Sequence, residues 1–332
     1  MSVNNNQYRT AESVSPGHPD KICDQISDAL LDAYLARDTK ARVAIEVCGG
    51  HGTVFLTGEV SSHAQVDPAP IVRRLAGDVR LIDTIARQSP EIARGVDAGG
   101  AGDQGIMVGY ACSETVELLP LEVVLARSLN QYLYKKWPYD GKTQVTLQDG
   151  KITAVVASFQ HAPSSELEAA VKRWIRRQRD ARLQAVTYSK RDVALHINPA
   201  GDWSQGGFDA DAGLTGRKLV VDNYGPRIAI GGGCFSGKDA TKVDRSAAYM
   251  ARRIAVDYLR KHQAKEVYCY LAYAIGYDQP LEATVVIDGV ERQIEGYDLS
   301  PRGIIKALQL ARPQFEQTAR YGHFGHAFTW DS

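Results

Sequence analysis

The sequence predicts an α/β (α+β) protein made of three similar subdomains, each a β-sheet with helices packed against it. Two observations carry that prediction. One rhythm occurs three times along the 332 residues: a helix-like stretch, two β-rich runs joined by a turn, then a second helix-like stretch. The length also exceeds what one ordinary core accommodates, so two or three packed units are expected, each burying its own apolar surface. The units run approximately over 1–110, 111–225 and 226–332, the first with a C-terminal return and their segments interleaved.

In the first unit, GHPDKICDQISDALLDAYLARD places Ile22, Ile26, Leu30 and Tyr34 on one helical stripe. RVAIEVCGGHGTVFLTGEV follows as two strands around a Gly-rich turn. The second unit opens with the helical PLEVVLARSLNQYLYKK and continues with TQVTLQDGKITAVVASFQH, where Asp149-Gly150 is a hairpin signal because both positions tolerate positive φ. SELEAAVKRWIRRQRDARL closes it as an amphipathic helix. The third runs through ATKVDRSAAYMARRIAVDYLRKH, then EVYCYLAYAI and LEATVVIDGVERQIE, and ends with SPRGIIKALQLARPQF. Identities barely repeat between units; the repeat is one of pattern. Glycine-dense joints from Gly95 to Gly105 and from Ile197 to Lys218 are expected to be irregular loops, which either connect or carry function.

Composition narrows the function classes. Basic and acidic residues number 39 each, so no nucleic-acid or membrane-surface partner is expected and any basic site must be local. The five cysteines, Cys23, Cys48, Cys112, Cys234 and Cys269, are scattered without a CxxC pair, which speaks against a disulfide framework and for a reducing, cytoplasmic setting. The first residues contain no apolar signal region, and no run approaches the roughly 18 apolar residues of a membrane span.

The chemistry-bearing stretch is GGGCFSGKDATKVDRSAAY. From Gly232 it has the spacing of a phosphate loop up to Gly237-Lys238, but Asp239 stands where that motif needs a hydroxyl for magnesium. Lys238 and Lys242 beside flexible glycines suit phosphate oxygens, and Asp239 and Asp244 suit a cation opposite them. A helix cap followed by a charged face fits the same residues. In SPGHPDK, Pro19 marks a first helical turn, leaving two readings. His18 and Asp20 serve phosphate and metal, or Asp20, Asp24 and Asp28 form a solvated acidic face. GLTGRK adds Arg217 and Lys218, and YDGK adds Asp140 and Lys142; singly each reads as a surface turn. Glu46 and Glu59 sit inside apolar strand runs, where an unpaired charge is costly unless alternation turns them outward. No HExxH, GxSxG or kinase signature is present.

Together these blocks resemble the S-adenosylmethionine synthetase (methionine adenosyltransferase) family. The matching stretches are ESVSPGHPDKICDQISDALLDA, RQSPEI, GAGDQGIMVGYA, GLTGRKLVVDNYG, GGGCFSGKDATKVDRSAAYMAR and YGHFG, in family order across essentially the whole chain. The resemblance implies three subdomains about a pseudo-threefold axis. It also implies attack of the methionine sulfur on C5′ of ATP, then hydrolysis of the bound triphosphate to pyrophosphate and phosphate. Carried over by motif position, His18, Asp140, Lys142, Trp203, Asp211, Arg217, Lys218, Cys234 and Lys238 surround ATP. Of these His18, Lys142, Arg217 and Lys238, with Lys242, are the catalytic set. Glu59, Gln88, Asp103, Asp211 and Lys242 surround methionine. Asp20 and Asp244 hold Mg2+, and Glu46 binds K+. The implied assembly is a homodimer with shared active sites, a tetramer being the alternative.

Several positions depart from the family pattern. Pro16 stands where Glu is common, and Asp202-Trp203 where an Arg-Phe pair is common. The connections from Glu59 to Gln88 and from Gln88 to Asp103 are short for the family. Two narrower readings compete with the synthetase: an ATP or polyphosphate hydrolase, and an inactive partner subunit. Glu59 and Gln88 weigh against the first, and the retained His18, Asp20, Lys238, Lys242 and Asp244 against the second.

Overall fold

The computed structural model of the chain describes residues 8–87, 100–181 and 193–332. In chain order the elements are β1 (Tyr8–Val14), α1 (Pro19–Leu35), β2 (Arg42–Gly50), β3 (Thr53–Ser61), α2 (Ala69–Ala76), β4 (Arg80–Asp83), β5 (Ala86–Arg87) and β6 (Gly105–Cys112). There follow α3 (Leu121–Tyr134), β7 (Gly141–Gln148), β8 (Lys151–Phe159), α4 (Ser164–Ala181), β9 (Ala194–Ile197), β10 (Gly213–Leu214) and α5 (Leu219–Asp222). The last are α6 (Val243–His262), β11 (Glu266–Tyr273), β12 (Glu282–Ile287), β13 (Val290–Gln293) and α7 (Pro301–Leu308).

The predicted rhythm is present in all three units as α1-β2-β3-α2, α3-β7-β8-α4 and α6-β11-β12-α7, the last with β13 added. Tight turns fall at His51-Gly52, Asp149-Gly150 and Asp288-Gly289, and all six residues have positive φ. That is the backbone twist a two-residue hairpin turn requires.

Among the described residues three sheets result, ordered β1-β7-β8-β9, β10-β2-β3-β4 with β5 also on β3, and β13-β12-β11-β6. Each takes one antiparallel strand from outside its own repeat. β1 pairs with β7 from Tyr8↔Gln148 to Val14↔Lys142, β6 with β11 from Gly105↔Tyr273 to Cys112↔Glu266, and β10 with β2 at Gly213↔Gly49. The two glycine-dense joints are therefore not wholly irregular, against the sequence expectation. Gly105 opens β6, and Gly213-Leu214 forms β10, because the first strand of a neighbouring hairpin offers unpaired ladder groups. Gly109 on β6 shows how closely the donated strand is pressed: a Cβ there would lie 2.1 Å from the Ala251 carbonyl of α6.

The helices pack as the stripes predict. Ile26 and Leu30 of α1 are buried, in one core with Val43 of β2, Val267 of β11 and Tyr249 of α6. The central unit has its own core around Leu129, Val145, Phe159 and Trp174. The first and third units share theirs because the C-terminal segment is wedged between them: Phe315, Phe324 and Trp330 are fully buried. Trp330 stacks on Tyr249 at 4.0 Å between centroids and donates to the His323 carbonyl at 2.7 Å. Among the described residues no helix is long and apolar enough to cross a membrane.

His326 sits at the joint between this segment and α3. Its Nε2 lies 3.4 Å from Arg127 Nη1, while the Asp331 carboxylate accepts from its backbone amide at 3.1 Å. Burial first, then the Arg127 guanidinium, push the imidazole down to about 4, Asp331 opposing. It is therefore neutral when folded but titrates near its ordinary value of ~6.5 when unfolded. The unfolded state gains the proton first, so stability from this group is lost as pH falls from ~6.5 toward 4. His326→Gln should gain thermal stability relative to the parent chain between pH 7 and pH 5. Melting curves of both proteins at the two pH values check this, and a difference in midpoint that does not change with pH would contradict it.

Candidate active site

The site is organised by one face of α1. Asp20, Asp24, Asp28 and Asp32 recur at four-residue spacing and so line up along the helix. Asp20, Asp24 and Asp28 are 3%, 0% and 0% exposed, which rules out the solvated acidic face. Each carboxylate instead accepts backbone amides from a segment distant in sequence. Asp20 Oδ1 takes Leu214 N at 3.0 Å, Asp24 Oδ1 takes Gly216 N at 2.9 Å, and Asp28 Oδ1 takes Gly237 N at 2.9 Å. Asp32 takes Gln314, Phe315 and Glu316 N, each at 2.9 Å at the closest oxygen. Beneath them the fully buried Lys21 ammonium bridges Asp24 Oδ2 at 2.9 Å and Asp222 Oδ1 at 2.5 Å.

At the N-terminus of α1, His18 is the cap residue, and its Nδ1 accepts from Asp20 N at 3.2 Å, so in the neutral ring the proton is on Nε2. Burial, then the Lys218 and Lys142 ammonium groups, push His18 down to about 3. Lys218 Nζ lies 2.5 Å from Asp20 Oδ2. Burial works against the Asp20 charge, but Lys218 and the Leu214 amide outweigh it and hold the carboxyl below its usual range. Asp140 is half-buried, which raises it, and its Oδ2 accepts from Gly207 N at 3.1 Å; Lys142 and Asp211, both exposed, act on it through space. Trp203 Nε1 donates to Ser158 Oγ at 3.1 Å, and Ser158 is the register partner of Lys142, so the indole stands beside that lysine's strand position. Asp202 accepts from Ser164 N at 3.0 Å and Asn198 Nδ2 at 3.1 Å, fastening the start of α4.

The glycine-rich stretch forms a second cluster. It is not a phosphate loop: residues 237–239 lie along the edge of β2, with Gly237 O accepting Ile45 N and Val43 O accepting Asp239 N, both at 3.0 Å. Gly237 has φ +82°, and a Cβ there would meet the Ile45 carbonyl oxygen at 2.0 Å, so only glycine fits. Asp239 is a clamp, 2% exposed, accepting from Val43 N at 2.7 Å and Thr241 N at 2.9 Å and pairing with Lys242 Nζ. Lys238 Nζ pairs with Asp244 Oδ2 at 2.7 Å. Burial disfavours that ammonium, yet Asp244, with Cys234 and Glu46, more than offsets it. Gly105, Gly232 and Gly233 surround the Asp244 carboxylate, and a Cβ on any of them would come within 3.0 to 3.3 Å of its oxygens.

Of the other predicted residues, Glu46, Glu59, Cys234 and Arg217 fall around these two clusters. Glu46 is half-buried on β2, raised by burial with Lys238 opposing. Glu59 is half-buried opposite Ala44, the residue that Lys238 bridges from the other side, so the two flank one position of the sheet. Cys234 joins the loops: a Cβ on Gly216 would lie 2.4 Å from the Cys234 Cβ, and burial, then Glu46, push its thiol up to about 12. Arg217 is exposed between Gly216 and Lys218. Asp103 is exposed and accepts its neighbour Gln104 N at 2.8 Å; no described contact joins it to either cluster. Gln88 lies outside the described residues. Among the described residues no three His, Cys, Asp or Glu side chains gather as a metal cage, so a cation here would need oxygens from a substrate and water. Sequence reasoning assigned no contacts to Asp24 and Asp28 and singled out neither Lys21, Asp222 nor Arg245. The four-residue spacing of the aspartates was the one available signal.

Three family descriptions match consecutive parts of the chain: the S-adenosylmethionine synthetase N-terminal domain over residues 6–90, the central domain over 98–203 and the C-terminal domain over 205–332. Proteins named S-adenosylmethionine synthase are similar along nearly their whole length. That of Salinibacter ruber is 40% identical, covering 97% of this chain and 94% of its own. That of Brachyspira hyodysenteriae is 41% identical, covering 100% and 97%. S-adenosylmethionine synthase 1 of Frankia casuarinae is 42% identical, covering 97% and 95%. The Brachyspira alignment runs over 386 positions against a chain of 332 residues, so that relative carries segments this chain lacks.

Proposed function

The chain belongs to the S-adenosylmethionine synthetase family and makes S-adenosylmethionine from ATP and L-methionine, and on that premise we propose how its residues divide the work. The methionine sulfur forms a bond to C5′ while the C5′–O bond breaks, leaving a sulfonium and a triphosphate on which negative charge grows. Thioether sulfur needs no activating base, so catalysis rests on alignment and on charge placed against the leaving group. Neutral His18, with its proton on Nε2, donates to the departing oxygen or its phosphate. Lys142, Arg217, Lys218 and Lys238 bind the phosphate chain, and Trp203 offers an aromatic face to the adenine. Lys242, Glu59, Gln88, Asp103 and Asp211 hold methionine. The bound triphosphate is then hydrolysed to pyrophosphate and phosphate in the same grip.

The observation that supports this reading is the pair of ion pairs Lys218–Asp20 and Lys238–Asp244, each a lysine ammonium resting on a hard-oxygen donor. When triphosphate arrives, the ammonium groups transfer to its oxygens and free both carboxylates. The donor type suits Mg2+, and the glycines around Asp244 leave room for it. Bound Mg2+ would neutralise charge on the departing triphosphate. Glu46, half-buried on β2 near Lys238, suits the weaker demands of K+. All five cysteines are unpaired, in keeping with a cytoplasmic setting.

Asp20→Asn and Asp244→Asn should each lower S-adenosylmethionine formation by about 10²-fold at limiting Mg2+, less at saturating Mg2+, with melting temperatures near the parent. Initial rates across a Mg2+ titration check this, and parental rates from both variants at limiting metal would contradict it.

The site is further proposed to lie between two chains of a homodimer, the His18 cluster of one facing the Glu59 and Lys238 cluster of the other. Within one chain the two clusters hang from Asp20 and Asp28, eight residues and so ~12 Å apart along α1. A twofold dimer would then hold two equivalent sites. Mixing inactive Lys142→Ala with inactive Glu59→Ala should restore one intact site per heterodimer, up to about a quarter of parental activity when the chains pair at random across the twofold axis. No recovery despite demonstrated subunit exchange, or full activity of a monomer in light scattering, would contradict the shared site.

A further inference from the structure

We infer that Arg245, with Asp28, is a positioning residue for adenosyl transfer and triphosphate hydrolysis, acting through the backbone of Lys238. The inference rests on the assignment of Lys238 to the phosphate chain. Arg245 is fully buried in the first turns of α6, and all five of its N–H donors are engaged. Nη1 donates to Asp28 Oδ1 at 2.6 Å and to the Lys238 carbonyl at 3.0 Å. Nη2 donates to Asp28 Oδ2 at 2.9 Å and Thr318 Oγ1 at 3.2 Å, and Nε donates to Tyr249 Oη at 3.1 Å. Asp28 Oδ1 in turn accepts Gly237 N at 2.9 Å.

The pair therefore grips the chain on both sides of Lys238 Cα, through the amide of the preceding residue and through Lys238's own carbonyl. Asp244, the residue before Arg245, holds the other end of the same side chain. One turn of α6 thus fixes root and tip of Lys238 together. A buried Arg–carboxylate pair is weak evidence for stability, since apolar residues of like volume often serve as well. What apolar residues could not supply is the hydrogen bond to the Lys238 carbonyl and the acceptor for Gly237 N.

Arg252 provides a matched comparison. It is equally buried on the same helix, donates to Asp331 at 2.8 Å and to the carbonyls of Tyr110, Leu118 and Glu117, and touches neither site loop. Arg245→Lys and Arg252→Lys should both lower the melting temperature. Only Arg245→Lys should raise KM for ATP and slow hydrolysis of supplied tripolyphosphate, by about tenfold to 10²-fold, the scale of a misplacement near 1 Å, with KM for methionine unchanged. If Arg245→Lys cannot be obtained folded, Tyr249→Phe, which removes one of the five acceptors, should shift the same constants in the same direction by a smaller factor. Parental KM for ATP and parental triphosphate turnover in these variants, beside an impaired Lys238→Ala, would overturn the positioning role and leave the Lys238 assignment standing. Parental triphosphate turnover in Lys238→Ala itself would instead remove the Lys238 assignment and the inference with it.

Discussion

The site depends on one demand of the backbone: loops rich in glycine carry amides that must find acceptors once they are buried. Helix α1 answers with a carboxylate at every turn. Leu214, Gly216, Gly237 and the 314–316 amides hang from Asp20, Asp24, Asp28 and Asp32 in order. Segments nearly 200 to 280 residues away in sequence are thereby set at one-turn intervals along a single rigid rod. Removing one carboxylate would strand both an amide and, at Asp28, a buried guanidinium, so the four positions are not interchangeable surface charges.

The edge of β2 completes the arrangement from the other side. β10 pairs with Cys48 and Gly49, Thr215 N reaches Val47 O at 3.0 Å, and residues 237–239 take the stretch from Val43 to Ile45. Both cation-bearing loops therefore share a rail on β2 and a rod in α1, and Cys234 against Gly216 closes the gap between them. The charges are preorganised in the same sense. Lys218 and Lys238 already rest on Asp20 and Asp244, so in the proposed site an incoming polyanion would exchange one counter-charge for another and would not have to order free side chains.

Much of this was legible in the sequence, for identifiable reasons. The helix and hairpin of each unit follow from local periodicity and from turn pairs such as Asp149-Gly150, whose φ preferences are intrinsic. The strands β1, β6 and β10 were not legible, because what makes them strands is the open first strand of a hairpin elsewhere in the chain. The same holds within the site. Asp239 fills the place of a phosphate-loop hydroxyl and invites a metal reading, yet it is consumed by Val43 N, Thr241 N and Lys242. The acidic stripe of α1 looks solvated by spacing alone, and only its partners from residues 214 to 316 bury it. Trp203 and Asp202 show a departure resolved in part: the indole keeps a place beside the Lys142 strand position, while the carboxylate turns to capping α4.

The most direct test is a crystal structure of the chain with L-methionine, a non-hydrolysable ATP analogue and Mn2+ in place of Mg2+, located by anomalous scattering. Lys218 and Lys238 should have left Asp20 and Asp244 for phosphate oxygens, and manganese should lie on those two carboxylates. Gly216 N and Gly237 N should remain on Asp24 and Asp28. A triphosphate bound with both ion pairs intact, or loops detached from α1 when the site is filled, would contradict the account.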